Sequence, residues 1–122
     1  MKPRFAGQPL IDSYGDGGFR LNGQMFDGSI LLTPRGLYPW EIAGLAEATA
    51  ASLAPLVECA DEFDFLLVGS GAGFSLLPKT IVGFLAGKNI VPDVMGTGAA
   101  CRTYNVLRAE DRRVAAALIA VS

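Results

Sequence analysis

The strongest constraint on this chain is the succession "FDFLLVG", "PKTIVGFLAGK" and "NIVPDVM" across residues 63–95. The first piece is a continuous apolar run bounded by Asp and Gly, the pattern of a strand buried on both faces. In the second, Ile81, Val82, Leu85 and Ala86 share one helical face. Pro78 suits its first turn and Gly87 its stop. The third is a second short strand. Strand, helix and strand within about thirty residues make a βαβ unit, whose crossover is almost always right-handed. The spacing therefore predicts an α/β domain that contains this βαβ unit.

The flanking segments add to this frame. Residues 1–12 read as a flexible N-terminal arm, broken by Pro3, Gly7 and Pro9, and residues 13–122 as a single α/β domain. A chain of 122 residues holds one core and not two. "GFRLNGQMFDGSILLTP" carries two turn dipeptides, Asn22-Gly23 and Asp27-Gly28, and reads as a β-meander. "LYPWEI" is a further extended piece. The alanine-rich "AGLAEATAASLAPLVECA" favours helix, with its firm part near Pro55, where a missing N–H costs nothing. "TGAACRTYNVLRAEDRR" predicts a helix from Ala99. Composition leaves the tail "VAAALIAV" open between strand and helix.

Charge and composition exclude several classes. The net charge of −2 comes with no basic stripe, so no nucleic-acid partner is expected. No apolar run approaches the roughly 18 residues of a membrane helix, so the chain is not expected to be transmembrane. "MKPRFAGQPL" lacks the sustained apolar core of a secretory signal. Two cysteines without a signal suggest reduced thiols, and the expectation is a cytoplasmic domain. Histidine is absent, which removes the commonest metal ligand and the usual general base at neutral pH. No acidic pair has metal-ligand spacing, and no metal site is expected.

Gly69, Gly71 and Gly73 raise the question of a nucleotide. The dinucleotide fingerprint wants glycine at its first, third and sixth places. Here the sixth is Phe74, and Pro78 delays the helix whose N-terminus would hold the pyrophosphate. Asp93 does lie about twenty residues on, where a ribose-binding acid would sit. Lys79 follows a proline and makes no P-loop. The favoured reading is a tight bend for close packing, with no cofactor.

"MGTGAACRTYN" is the most distinctive stretch. Thr97 is a candidate helix cap, and Gly98 lets the backbone turn. Cys101 falls in the first helical turn beside Arg102, and both effects would favour a thiolate if the thiol were exposed. The favoured alternative is a buried cysteine packed on the sheet. Tyr104 and Asn105 could bind a ligand, but a core tyrosine and an asparagine paired with backbone explain them better. Arg108 with Asp111 and Glu110 with Arg113 have the spacing of solvated ion pairs.

"GGFRLNG…GSILLTP…W", "LLVGSGAG" and above all "TGAACRTYNVLRAEDRRVAAALI" resemble the family called domain of unknown function 498, over about residues 13–120. The resemblance implies a compact three-layer α/β domain around a mixed β-sheet. Its order would be an N-terminal β-meander, a βαβ unit, a helix and a C-terminal strand. Many relatives have Glu-Gly-Arg where this chain has Glu110-Asp111-Arg112, a turn that tips "VAAALIAV" toward a strand. The family has no established enzymatic chemistry. A mitochondrial member assists assembly of respiratory complex I at the inner membrane, and bacterial relatives are often encoded beside protein-export components. The expectation is a non-enzymatic binding module that assists assembly or insertion of a membrane complex, with a subunit or assembly machinery as partner. The alternative is a small-molecule or anion-binding protein with a reactive thiol at Cys101 near the Gly69–Gly73 loop. For either, Gly69, Gly71, Gly73, Asp93, Thr97, Cys101, Arg102, Tyr104 and Asn105 are the candidate cleft, because open α/β sheets bind ligands at the C-terminal ends of adjacent parallel strands.

Overall fold

A computed structural model describes Pro3 and residues 7–122. Of the expected arm, Met1, Lys2, Arg4, Phe5 and Ala6 lie outside the described residues. Strands β1 (Ile11–Gly15), β2 (Gly18–Leu21) and β3 (Gln24–Asp27) form an antiparallel meander. Strands β4 (Ile30–Thr33) and β5 (Gly36–Pro39) open a second sheet. It is completed by β6 (Phe65–Gly69), β7 (Pro92–Met95) and β8 (Val114–Leu118), in the order β5-β4-β8-β6-β7. Helix α1 (Ala54–Val57) precedes β6, α2 (Lys79–Ala86) joins β6 to β7, and α3 (Thr97–Ala109) joins β7 to β8. β6 runs parallel to both β7 and β8, while β8 runs antiparallel to β4, so the sheet is mixed.

Alternation within the central strands creates three layers. Leu31, Leu66, Val68, Ala115 and Ala117 face one core, covered by Leu45, Leu53 and Leu56 and by Leu77, Ile81 and Leu85 before and along α2. Ile30, Leu32, Leu67, Ala116 and Leu118 face the other core, which α3 and the meander cover with Tyr104, Cys101, Phe19 and Leu21. Each central strand is thus apolar on both faces, as its unbroken hydrophobic run requires. The C-terminal tail is the middle strand, fully buried from Val114 to Leu118.

Several local expectations are corrected. Asn22 and Gly23 both take positive φ in the β2–β3 turn, but at Asp27-Gly28 only the glycine does. That second turn carries the chain from one sheet to the other and makes no hairpin. Asp16 and Gly17, with φ of 52° and 81°, form the β1–β2 turn. The alanine-rich segment is a series of short 3-10 turns around α1 and no continuous helix. Ser52 Oγ donates to Thr49 O and Thr49 Oγ1 accepts from Ser52 N, local bonds that compete with the helical ladder. Pro55 sits early in α1, where its missing N–H is harmless. On α2, Ile81 and Leu85 are buried, but Val82 and Ala86 are exposed. The buried stripe instead uses Leu77, Ile81, Phe84 and Leu85.

The alanines of β8 are small because helices press on both faces of the strand. Replacing Ala116, which has no exposed surface, by leucine overfills that space. Ala116→Leu should cost about 1–3 kcal/mol and lower the melting temperature by several degrees. Thermal unfolding followed by circular dichroism checks this, and an unchanged melting point would show a looser core.

Candidate functional site

The candidate residues gather where β6, β7 and β8 end. Gly69 closes β6 so tightly that an added Cβ would lie 2.8 Å from Thr97 Oγ1 and 3.0 Å from Leu118 Cδ2. The chain then turns through Gly71, whose φ of +104° suits glycine. Thr97 N donates to Gly71 O at 2.9 Å, and Gly71 N donates back to Thr97 Oγ1 at 2.9 Å. The same hydroxyl donates to Ile119 O at 2.7 Å, just past β8. Ser70 N donates to Met95 O at 2.8 Å. This glycine bend therefore locks three strand ends together.

Thr97 does not cap its helix. Gly96 is the N-cap, α3 begins at Thr97 two residues before the expected Ala99, and the threonine hydroxyl points to β6 and β8. Gly98 admits the ring of Tyr14, since a Cβ there would collide with the Tyr14 hydroxyl. Tyr14 is the site residue that sequence reasoning missed. Its signal was the Tyr-Gly-Asp-Gly-Gly run, which places it beside the unread β1–β2 turn.

Cys101 is buried against the second core, and burial pushes its thiol up to about 12, while Arg102 opposes that rise more weakly. Tyr104 is fully buried, its pKa also raised by burial, and its hydroxyl donates to Pro9 O at 2.9 Å. Asn105 grips Ile11 twice: Oδ1 accepts from Ile11 N at 2.8 Å and Nδ2 donates to Ile11 O at 2.9 Å. Arg108 Nε donates to Gln8 O at 3.3 Å, not to Asp111. Arg113 pairs with Asp64 at 2.8 Å, not with Glu110, because the helix ends at Ala109 and Asp111 turns with φ of 58°. The Arg113 hydrogen bond holds the Asp64 carboxyl below its ordinary range.

Two clefts meet at Tyr14 and Arg102. One, of about 430 Å³, is lined by Gly71, Gly96, Gly98 and Val121 as well. The other, of about 400 Å³, adds Ile11, Asp12, Cys101 and Asn105. Gly71 and Arg102 thus share a cleft, and Thr97 lies beneath it. Asp93 does not join them: it is exposed on β7 opposite Leu67 in the sheet register. Gly73 is exposed on the loop beyond the bend. A third groove of about 340 Å³ lies elsewhere, between α2 and β7, and is nearly all apolar: Leu76, Leu77, Val82, Val91 and Val94, with Lys79. Leu76 is 69% exposed and Val91 83%. Among the described residues, no group of three Cys, Asp or Glu could hold a metal, and no helix is long and apolar enough to cross a membrane.

Thr97→Val keeps the shape but leaves Gly71 N–H and Ile119 C=O unpaired. It should cost about 2–4 kcal/mol in urea unfolding, with Thr97→Ser far milder. For Cys101 the sign follows from its raised pKa. The unfolded thiol ionises near its ordinary 9.0 and the folded one near 12, so this contribution to stability is complete below pH 9 and is lost as pH rises toward 12. In the folded protein, iodoacetamide should leave Cys101 unmodified at neutral pH, and mass spectrometry of the alkylated peptide checks it.

A family model described as "Protein of unknown function (DUF498/DUF598)" matches residues 11–119. An uncharacterized protein of Rhodobacter capsulatus is 39% identical over 97% of this chain and 90% of its own length. NADH dehydrogenase [ubiquinone] 1 alpha subcomplex assembly factor 3 of Drosophila melanogaster is 34% identical over 90% of this chain and 58% of its own length. The chain therefore spans under two thirds of that relative. A crystal structure described as an outer membrane protein from Bartonella henselae superposes with a TM-score of 0.92 at 42% identity, covering 98% of this chain and all of the other.

Proposed function

The chain belongs to the DUF498/DUF598 family, and on that premise we propose that it is a non-enzymatic binding module that assists assembly or insertion of a membrane-bound respiratory complex. The observation that carries this reading is the apolar groove between α2 and β7, where Leu76, Val82 and Val91 are exposed together. Large apolar side chains clustered on a surface mark a site for another molecule. The relatives named as NADH dehydrogenase assembly factors supply the kind of partner, a subunit of a respiratory complex or its assembly machinery. The module would work in the cytoplasm, peripheral to the inner membrane.

The competing reading, an anion or small molecule on the Gly69–Gly73 loop with a reactive Cys101, has less support. The Gly71 amide is taken by Thr97 Oγ1 and the Ser70 amide by Met95 O, so two donors that would cradle an anion are engaged. The thiol is buried and held neutral.

A photo-crosslinking residue placed at Val91, used on native membranes, should capture a respiratory or translocation subunit identified by mass spectrometry. Val82→Asp in the same chain should abolish the capture without lowering the melting temperature, since Val82 is 42% exposed. Recovery of no such subunit would overturn the assembly role.

A further inference from the structure

The outward edge of β7 is open. This strand ends the five-stranded sheet and pairs only with β6, from Pro92 opposite Leu66 to Met95 opposite Gly69. Met95 turns its carbonyl inward, to Ser70 N. In a parallel ladder, successive residues direct their backbone groups to alternate sides. Asp93 therefore faces β6 as Met95 does, and Pro92 and Val94 face away. The edge offers Val94 N–H, Val94 C=O and Pro92 C=O, and no backbone hydrogen bond among the described residues engages them.

Beside that edge lies the apolar groove, lined by Leu76, Leu77, Val82 and Val91. Its charge is one-sided. Residues 65–92 contain no Asp or Glu, and Lys79 and Lys88 are their only charges, in a chain whose net charge is −2. Lys79 lines the groove and makes no ion pair among the described residues. Lys88 lies over the Phe84 ring, 5.9 Å from its centroid.

We propose that this groove docks an extended segment of a partner protein, added as a further strand on β7, which places alternate apolar side chains in the groove and a carboxylate against Lys79. Backbone pairing supplies attachment, and the apolar groove with its lysine supplies selectivity. The inference rests on the binding-module reading and names the chemistry of what is bound.

Two other occupants fit less well. A second copy pairing edge to edge about Asp93 sets Asp93 against its own copy, and like charges directly opposite are destabilising. It also sets Pro92, which has no N–H to give, against Val94. A lipid surface leaves the Val94 groups unpaired and meets a concave face.

A random peptide display library panned on the full chain tests the proposal, followed by fluorescence anisotropy with the selected peptides. Selected sequences should alternate apolar residues and carry Asp or Glu. Replacing that acid by lysine should weaken binding about ten-fold, and Lys79→Glu should reverse the preference. N-methylation of the peptide backbone should abolish binding, and melting curves confirm that the variant is folded. The proposal is overturned by a library with no enrichment, by selected peptides without an acid, or by indifference to Lys79→Glu and to N-methylation. Retention on phosphatidylglycerol vesicles without peptide binding would also overturn it, in favour of a membrane. The assay contains no respiratory component, so its failure is distinct from failure of the crosslinking experiment.

Discussion

One buried hydroxyl holds the architecture in register. Thr97 Oγ1 accepts from the turn after β6 and donates to the residue after β8, while its backbone starts the helix after β7. The ends of three successive strands are thus tied at one residue. Neither bond is available to an apolar side chain, and a buried polar group left unpaired is costly. Gly69 and Gly71 follow from this: the strand ends approach each other so closely that a side chain at Gly69 would displace the threonine itself.

The closeness at that end continues along the sheet. β8 lies between β4 and β6 with helices or the meander over both faces, and its three consecutive alanines leave room for the Leu, Phe and Tyr side chains that converge on it. The strands on either side of it, β4 and β6, carry Ile, Leu and Val, so the run of small residues is confined to the middle strand, where an interior must reach close packing without strain.

Periodicity revealed the parts of the fold whose physics is local. The parallel pair β6–β7, the α2 crossover and the Asn22-Gly23 hairpin all follow from short-range patterns. The alanine-rich segment misled because helix propensity says nothing of Thr49 and Ser52, whose hydroxyls bind their own backbone. Thr97 was recognised as special but assigned a local cap, because its true partners are 26 and 22 residues away in sequence. The ion pairs drawn along the last helix failed for a related reason: they assumed the helix runs past Ala109. Of the candidate cleft, Gly71, Thr97, Cys101, Arg102 and Asn105 came together, and Asp93 fell on a free edge, because it lies within β7, two residues before the strand end that faces the cleft.

The Asn105 amide meets both backbone groups of Ile11, donor to acceptor and acceptor to donor, so a side chain of α3 reads the first strand as a neighbouring strand would. Leucine fits neither contact, and aspartate would set two acceptors face to face at the Ile11 carbonyl. The alphabet permitted at this position has hardly more than one letter. Because both groups it meets are main-chain, residue 11 can exchange its side chain without touching this clamp, while position 105 cannot.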